Sequence, residues 1–236
     1  RNNPVTLLFT DGEEDGLFGA VGFLQSDPFA HEIAVCINVE ARGNRGVSSM
    51  FRTSGANYDL IRTYAKSTTS PFTSSMHQVV FQLMPYYTDL SVWDMAEIPG
   101  YDFAFFDGAE AYHTPNDTLE NLNLGSLQSQ GQEVSSLLHT LIDTPLDRMT
   151  QADAHWFDWL GLTLVYWPAT WTVWLSILLT MGFIGLLGVH QRRASLGWRT
   201  WVFGATIPPL WLIGCGLIGV VLTQLPMRPP VDWLSV

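Results

Sequence analysis

The spacing of apolar residues changes along the chain, and each change predicts a different element. Residues 5–9, 33–39 and 102–106 are short β-branched or aromatic runs and read as interior strands. Residues 58–66 and 124–141 carry apolar residues at helical spacing. In the second, Leu127, Val134, Leu137, Leu138 and Leu141 fall roughly on one stripe, suited to packing on a sheet. A short helix is expected from about Leu17 to Gln25. Residues 88–92 open another helix that is a candidate to line a pocket. Alternating strands and helices predict an α/β domain over residues 1–150.

After Ala152 the pattern becomes continuous rather than periodic. Residues 169–189 contain no charge, enough to cross a hydrocarbon core of roughly 30 Å as a helix. Residues 201–225 form a second uncharged run, which Pro208 and Pro209 should kink. Trp167 and Trp171 flank one side, and Trp198 and Trp201 the other, as aromatic belts do. Two transmembrane helices are therefore expected, with a pair of buried core helices as the competing reading. The intervening residues 190–200 hold Arg192, Arg193 and Arg199, which makes that loop cytoplasmic. The acidic domain and the tail at 226–236 then face the periplasm, the cell exterior or an organelle lumen. Residues 151–168, apolar but containing Asp158, are expected to be a membrane-proximal amphipathic segment in contact with lipid, with a longer first span as the alternative.

Charge follows the same division. The net charge is −11; residues 1–155 hold 20 acidic and 7 basic side chains, and the remainder 2 and 4. This balance speaks against a nucleic-acid partner. Cys36 and Cys215 make no disulfide framework. Arg1 is not an initiating methionine and the chain enters a predicted strand almost at once, so the sequence reads as a fragment lacking its N-terminal part.

Candidate chemistry begins at Asp11-Gly-Glu13-Glu14-Asp15-Gly16, where four carboxylates fall within five residues. Such a run is either a solvated acidic turn or a metal site in which one glutamate binds and its neighbour takes a proton. Glu40, ending the second predicted strand, is either a ligand at a strand C-terminus or a partner of Arg42 or Arg45. After the third strand come Tyr112 and His113. The imidazole is placed to bind a metal or to sit in a surface loop, the phenol can face a developing oxyanion, and Asp117 can cap a helix. His31, His77, His139, His155 and His190 lack a comparable setting. No Gly-x-Ser-x-Gly elbow, phosphate loop or His-Glu-x-x-His helix is present.

Taken in order, Thr10-Asp-Gly-Glu13-Glu14-Asp-Gly-Leu-Phe-Gly19, Asn38-Val-Glu40-Ala and Glu110-Ala-Tyr112-His113-Thr-Pro-Asn-Asp117-Thr resemble the M28 family of zinc peptidases along about 150 residues. The appended apolar runs resemble its membrane-bound branch of endoplasmic reticulum metallopeptidases and vacuolar membrane proteases. The resemblance implies a zinc-exopeptidase-like three-layer fold with a mixed sheet, and a peptide substrate cleaved by a membrane-anchored exopeptidase, an aminopeptidase first of all. It implies Glu13 as general base, Glu14 and His113 as ligands of one zinc, Glu40 as ligand of a second, and Tyr112 as oxyanion stabiliser. The family's upstream His-x-Asp motif and bridging aspartate are not recognisable before Glu13. The two Zn2+ ions are therefore expected in the full-length protein, and the fragment alone is expected to be inactive. A non-catalytic ectodomain and a glutaminyl-cyclase-like transferase are the alternatives.

Overall fold

The computed structural model describes residues 3–84, 86–146 and 152–194, together with Gly204 and Thr206. At its centre is a mixed three-stranded sheet. Strand β3 (Gly100–Ala104) lies between β1 (Cys36–Val39), which runs parallel to it, and β2 (Ser49–Thr53), which runs antiparallel. Ile37 faces Tyr101 across the first ladder, and Asn38 faces Asp102. All five residues of β3 are buried, and their side chains alternate between two different layers.

Tyr101 and Phe103 point into the main core. They meet Leu60, Ile61 and Tyr64 of helix α2 (Tyr58–Ser67), and Leu137 and Leu141 of helix α5 (Leu124–Ile142). Gly100 and Asp102 serve the other face. A Cβ on Gly100 would lie 2.5 Å from Leu90 Cδ1, and Asp102 accepts a hydrogen bond from Thr88, which caps helix α4 (Asp89–Met95). Helix α1 (Phe18–Ser26) joins this layer through Phe23, whose ring lies 5.8 Å from that of Trp93. Helices thus cover both faces of a mixed sheet.

The expected helices at 58–66 and 124–141 match α2 and α5 closely, and the one at 17–25 becomes α1. Strands are less well matched. Residues 5–9 form no strand and pair with none among the described residues, and they are exposed, Leu7 by 77% and Phe9 by 90%. The expectation of a buried strand there is overturned, because apolar composition supplies a tendency and only a neighbouring chain supplies the ladder. β1 begins three residues later than expected, behind a 3-10 turn at Pro28–Glu32. β3 begins two residues earlier than expected. Strand β2 and helix α3 (Ser75–Leu83) were not evident from spacing.

Beyond α5, strands β4 (Ala154–Trp159) and β5 (Thr163–Pro168) form an antiparallel hairpin. Its turn passes through Leu160 and Gly161, both at positive φ. Trp156 and Leu164 enter the main core, and Ala154 N–H donates to Asn57 Oδ1 at 2.7 Å. This hairpin belongs to the same compact unit as the sheet, Arg1–Trp174. The second unit begins at Leu175, within helix α6 (Thr172–Ala194). Ala169–His190 is the one stretch among the described residues long and apolar enough to cross a membrane, with a mean hydropathy of 2.0. The expected second span, at residues 201–225, lies outside the described residues apart from Gly204 and Thr206.

Candidate active site

The acidic turn is a collar of backbone hydrogen bonds in front of α1. Leu17 N–H donates to Glu13 O at 2.8 Å, Phe18 N–H to Gly12 O at 3.0 Å, and Gly19 N–H to Asp11 O at 2.9 Å. Gly19 is required by this closeness, since a Cβ there would sit 2.6 Å from Asp11 O. The turn leaves Glu14 exposed and Glu13 half-buried. Thr10, just before it, donates to Asp89 Oδ2 at 2.6 Å.

Glu40 follows the last residue of β1 directly. Its N–H donates to Phe103 O at 2.7 Å, its carbonyl accepts from Gln130 Nε2 at 2.9 Å, and Oε1 accepts from Asn38 Nδ2 at 2.9 Å. The alternative partner Arg45 is engaged elsewhere, with Glu110 at 2.9 Å.

The loop after β3 carries the remaining candidates. It is fastened to the loop after β1 at Arg45 N–H and Asp107 O, 3.1 Å apart. Gly108, at φ +76, fits there because a Cβ would fall 2.0 Å from Asn44 Oδ1. His113 has φ +57, in the left-handed region that few non-glycine residues occupy. This geometry stacks its ring on Tyr112, with centroids 3.8 Å apart. Asp117 caps no helix among the described residues; α5 is capped by Asn123, which accepts from Ser126 N–H.

Three of the five expected residues meet directly. His113 Nε2 lies 2.6 Å from Glu14 Oε1, and Tyr112 OH donates to the same oxygen at 3.4 Å. The other two are electrostatic neighbours. Glu13 is pushed up to about 7, first by burial and then by Glu40, Glu14 and Asp89, with His113 opposing. Glu40 is likewise pushed up to about 7, by burial foremost; the Asn38 hydrogen bond opposes this, while Asp102, Asp89 and Glu14 add to it. Tyr112 is raised by burial and then by Glu14 and Glu13.

Among the described residues, no three His, Cys, Asp or Glu side chains converge into a ready metal cage. The donor set still fits a divalent ion in kind. An imidazole nitrogen faces a carboxylate oxygen, further carboxylates raise one another, and Asp89 Oδ1 is buried without a hydrogen-bond partner. Elsewhere, a groove of about 780 Å³ lined by Arg52, Gln78, Tyr87, Asp94 and His155 contains none of these five residues.

The residues supporting Glu40 were not identified from the sequence as site residues. Asp102 is fully buried, accepting from Asn38 Nδ2 at 2.8 Å and Thr88 Oγ1 at 2.6 Å, with Arg52 Nη1 3.9 Å away. The available signal was a charge inside an apolar run, Tyr101-Asp102-Phe103, which requires hydrogen bonds when buried.

Comparison with known proteins identifies the family. Residues 1–138 match the family described as Peptidase family M28, which covers the sheet, the acidic turn and the Tyr112–His113 loop. A putative endoplasmic reticulum metallopeptidase 1-B of Caenorhabditis elegans is 36% identical over 174 residues, covering 71% of this chain and 19% of the relative. Endoplasmic reticulum metallopeptidase 1 of Homo sapiens is 31% identical over 194 residues, 79% of this chain and 22% of the relative. A vacuolar membrane protease of Clavispora lusitaniae is 38% identical over 125 residues, 52% of this chain and 12% of the relative. No solved structure gives a significant match. The family match places the chain among peptidases by class. It belongs to peptidase family M28. It spans about a fifth of the length of the endoplasmic reticulum relatives it matches.

Proposed function

We propose that this chain carries part of the active site of a membrane-anchored, zinc-dependent exopeptidase, an aminopeptidase acting on peptide N-termini. The observation that carries the reading is the meeting of Glu14, Tyr112 and His113, brought together from nearly a hundred positions apart in sequence. Glu14 and His113 would hold one zinc and Glu40 a second. When bound, zinc supplies Lewis acidity and makes water nucleophilic near neutral pH. Glu13, beside Glu14 on the acidic turn, takes the proton released by the attacking water. Tyr112 OH donates to the oxyanion that forms at the scissile carbonyl. Asp11 and Asp15 support the turn.

Membrane anchoring is supported by the helix Ala169–His190 and by the names of the relatives. Likeness to the human relative covers 79% of the chain, so it extends past residue 138. With Arg192 and Arg193 following that helix, the peptidase region lies on the non-cytoplasmic side. Hydrolysis of aminoacyl anilides by the full-length protein, together with its zinc content, tests the reading. Chelator-sensitive turnover with bound zinc is expected; absence of both sinks it. The absence of a three-donor cage among the described residues keeps a non-catalytic ectodomain as the second reading. The same assay decides between them.

A further inference from the structure

We infer that Asn38 is a positioning residue for Glu40, held in register by buried Asp102, and that this pair tunes how strongly Glu40 binds a divalent cation; the inference rests on the reading of Glu40 as a ligand. Asn38 Nδ2 lies 2.9 Å from Glu40 Oε1 and 2.8 Å from Asp102 Oδ1. One amide nitrogen therefore spends both of its protons on two carboxylates. A flipped amide would set its carbonyl oxygen between two carboxylate oxygens, so the network admits one orientation only. Asp102 cannot turn away, because Thr88 Oγ1 holds its other oxygen at 2.6 Å and the carboxylate is fully buried.

The backbone adds a second constraint. Asn38 and Asp102 are register partners across β1 and β3, so the ladder itself sets their separation. The main chain of Glu40 is fixed at its N–H by Phe103 and at its carbonyl by Gln130. One carboxylate oxygen of Glu40 is committed to Asn38, which leaves Oε2 for a cation. Hydrogen-bonded partners of this kind orient a ligand and typically change metal affinity 10–100-fold when removed. A residue that only strengthened the strand would change stability and leave affinity alone.

The test is a titration of the metal-depleted full-length protein with zinc by calorimetry, and with cobalt(II) by visible absorption. Wild type is compared with Asn38→Ala, Asn38→Asp, Glu40→Ala and the double variant Asn38→Ala/Glu40→Ala. Circular dichroism establishes that each metal-free variant is folded. Asn38→Ala is expected to weaken zinc binding about 10–100-fold and to alter the cobalt spectrum. In the Glu40→Ala background it should cost nothing more. Asn38→Asp keeps the shape but places a third carboxylate between the other two; it should lose affinity as well, and it serves if the alanine variant fails to fold. Unchanged affinity in both Asn38 variants, or fully additive losses with Glu40→Ala, overturns the inference while the metal reading survives. No zinc bound by wild type instead overturns the metal reading, and the inference falls with it.

Discussion

On one side of the acidic cluster, Glu40 leaves the sheet with its N–H, its carbonyl and one carboxylate oxygen all engaged. On the other, Glu14 and His113 stand on loops with 62% and 55% of their side chains exposed, holding chiefly to each other and Tyr112. The difference shows where the fold itself supplies the geometry. The sheet side is tied to burial of Asp102 and to strand register, so its geometry cannot be altered without cost to folding. The loop side is an exposed pair, and such pairs contribute about 1 kcal/mol or less to stability. Substitutions on the sheet side should therefore cost stability as well as metal affinity, and those on the loop side should change the chemistry at little cost in stability.

The largest effect expected is on turnover. On the proposed reading, Glu13→Gln should lower hydrolysis by the full-length protein about 10²–10⁴-fold with zinc still bound. Loss of zinc instead would exchange the roles assigned to Glu13 and Glu14. Next, Tyr112→Phe should lower kcat about a hundredfold with zinc content unchanged, since it removes a donor and not a ligand; unchanged kcat would remove Tyr112 from the oxyanion role.

The comparison itself is tested by a pair of stability measurements. Asp102→Ala strands Asn38, Thr88 and Arg52 around a lost buried carboxylate and should destabilise the metal-free chain by about 3 kcal/mol or more. His113→Ala should cost about 1 kcal/mol or less while still weakening zinc. Similar losses in urea denaturation would erase the distinction between the two sides.

The smallest effect is in pH. Burial raises Asp102 from 3.8 to about 6, against the opposing hydrogen bonds from Thr88 and Asn38 and the charge of Arg52. A carboxyl raised on folding favours the protonated folded state. Its contribution is complete below pH 4 and is lost as pH rises through about 6. Thermal unfolding of the metal-free chain between pH 4.5 and 7.5 should fall less steeply for Asp102→Asn than for wild type. Parallel slopes would mean that the hydrogen bonds outweigh burial.

Much of this was legible in the sequence where the physics is local. The stripe from Leu127 to Leu141 gave α5 within a residue, because helical periodicity needs no partner. Glu14, Tyr112 and His113 could be picked out because short motifs mark them. Strands were legible only in part. Residues 5–9 look like a strand and find no ladder, while Ser49–Thr53 looks polar and is wholly buried. Pairing is non-local, and Arg52 is tolerated in β2 because Ser91 and Asp94 receive it. The Asn38–Asp102 contact was invisible for the same reason, since it exists only once β1 and β3 have chosen their register.

His113 adds a consequence for how this sequence can change. At φ +57 glycine would sit with less strain than the imidazole does. The variant His113→Gly should accordingly unfold at a higher temperature than His113→Ala, although neither keeps the imidazole. If His113 is the zinc ligand proposed above, its ring is kept at a position where stability by itself favours glycine.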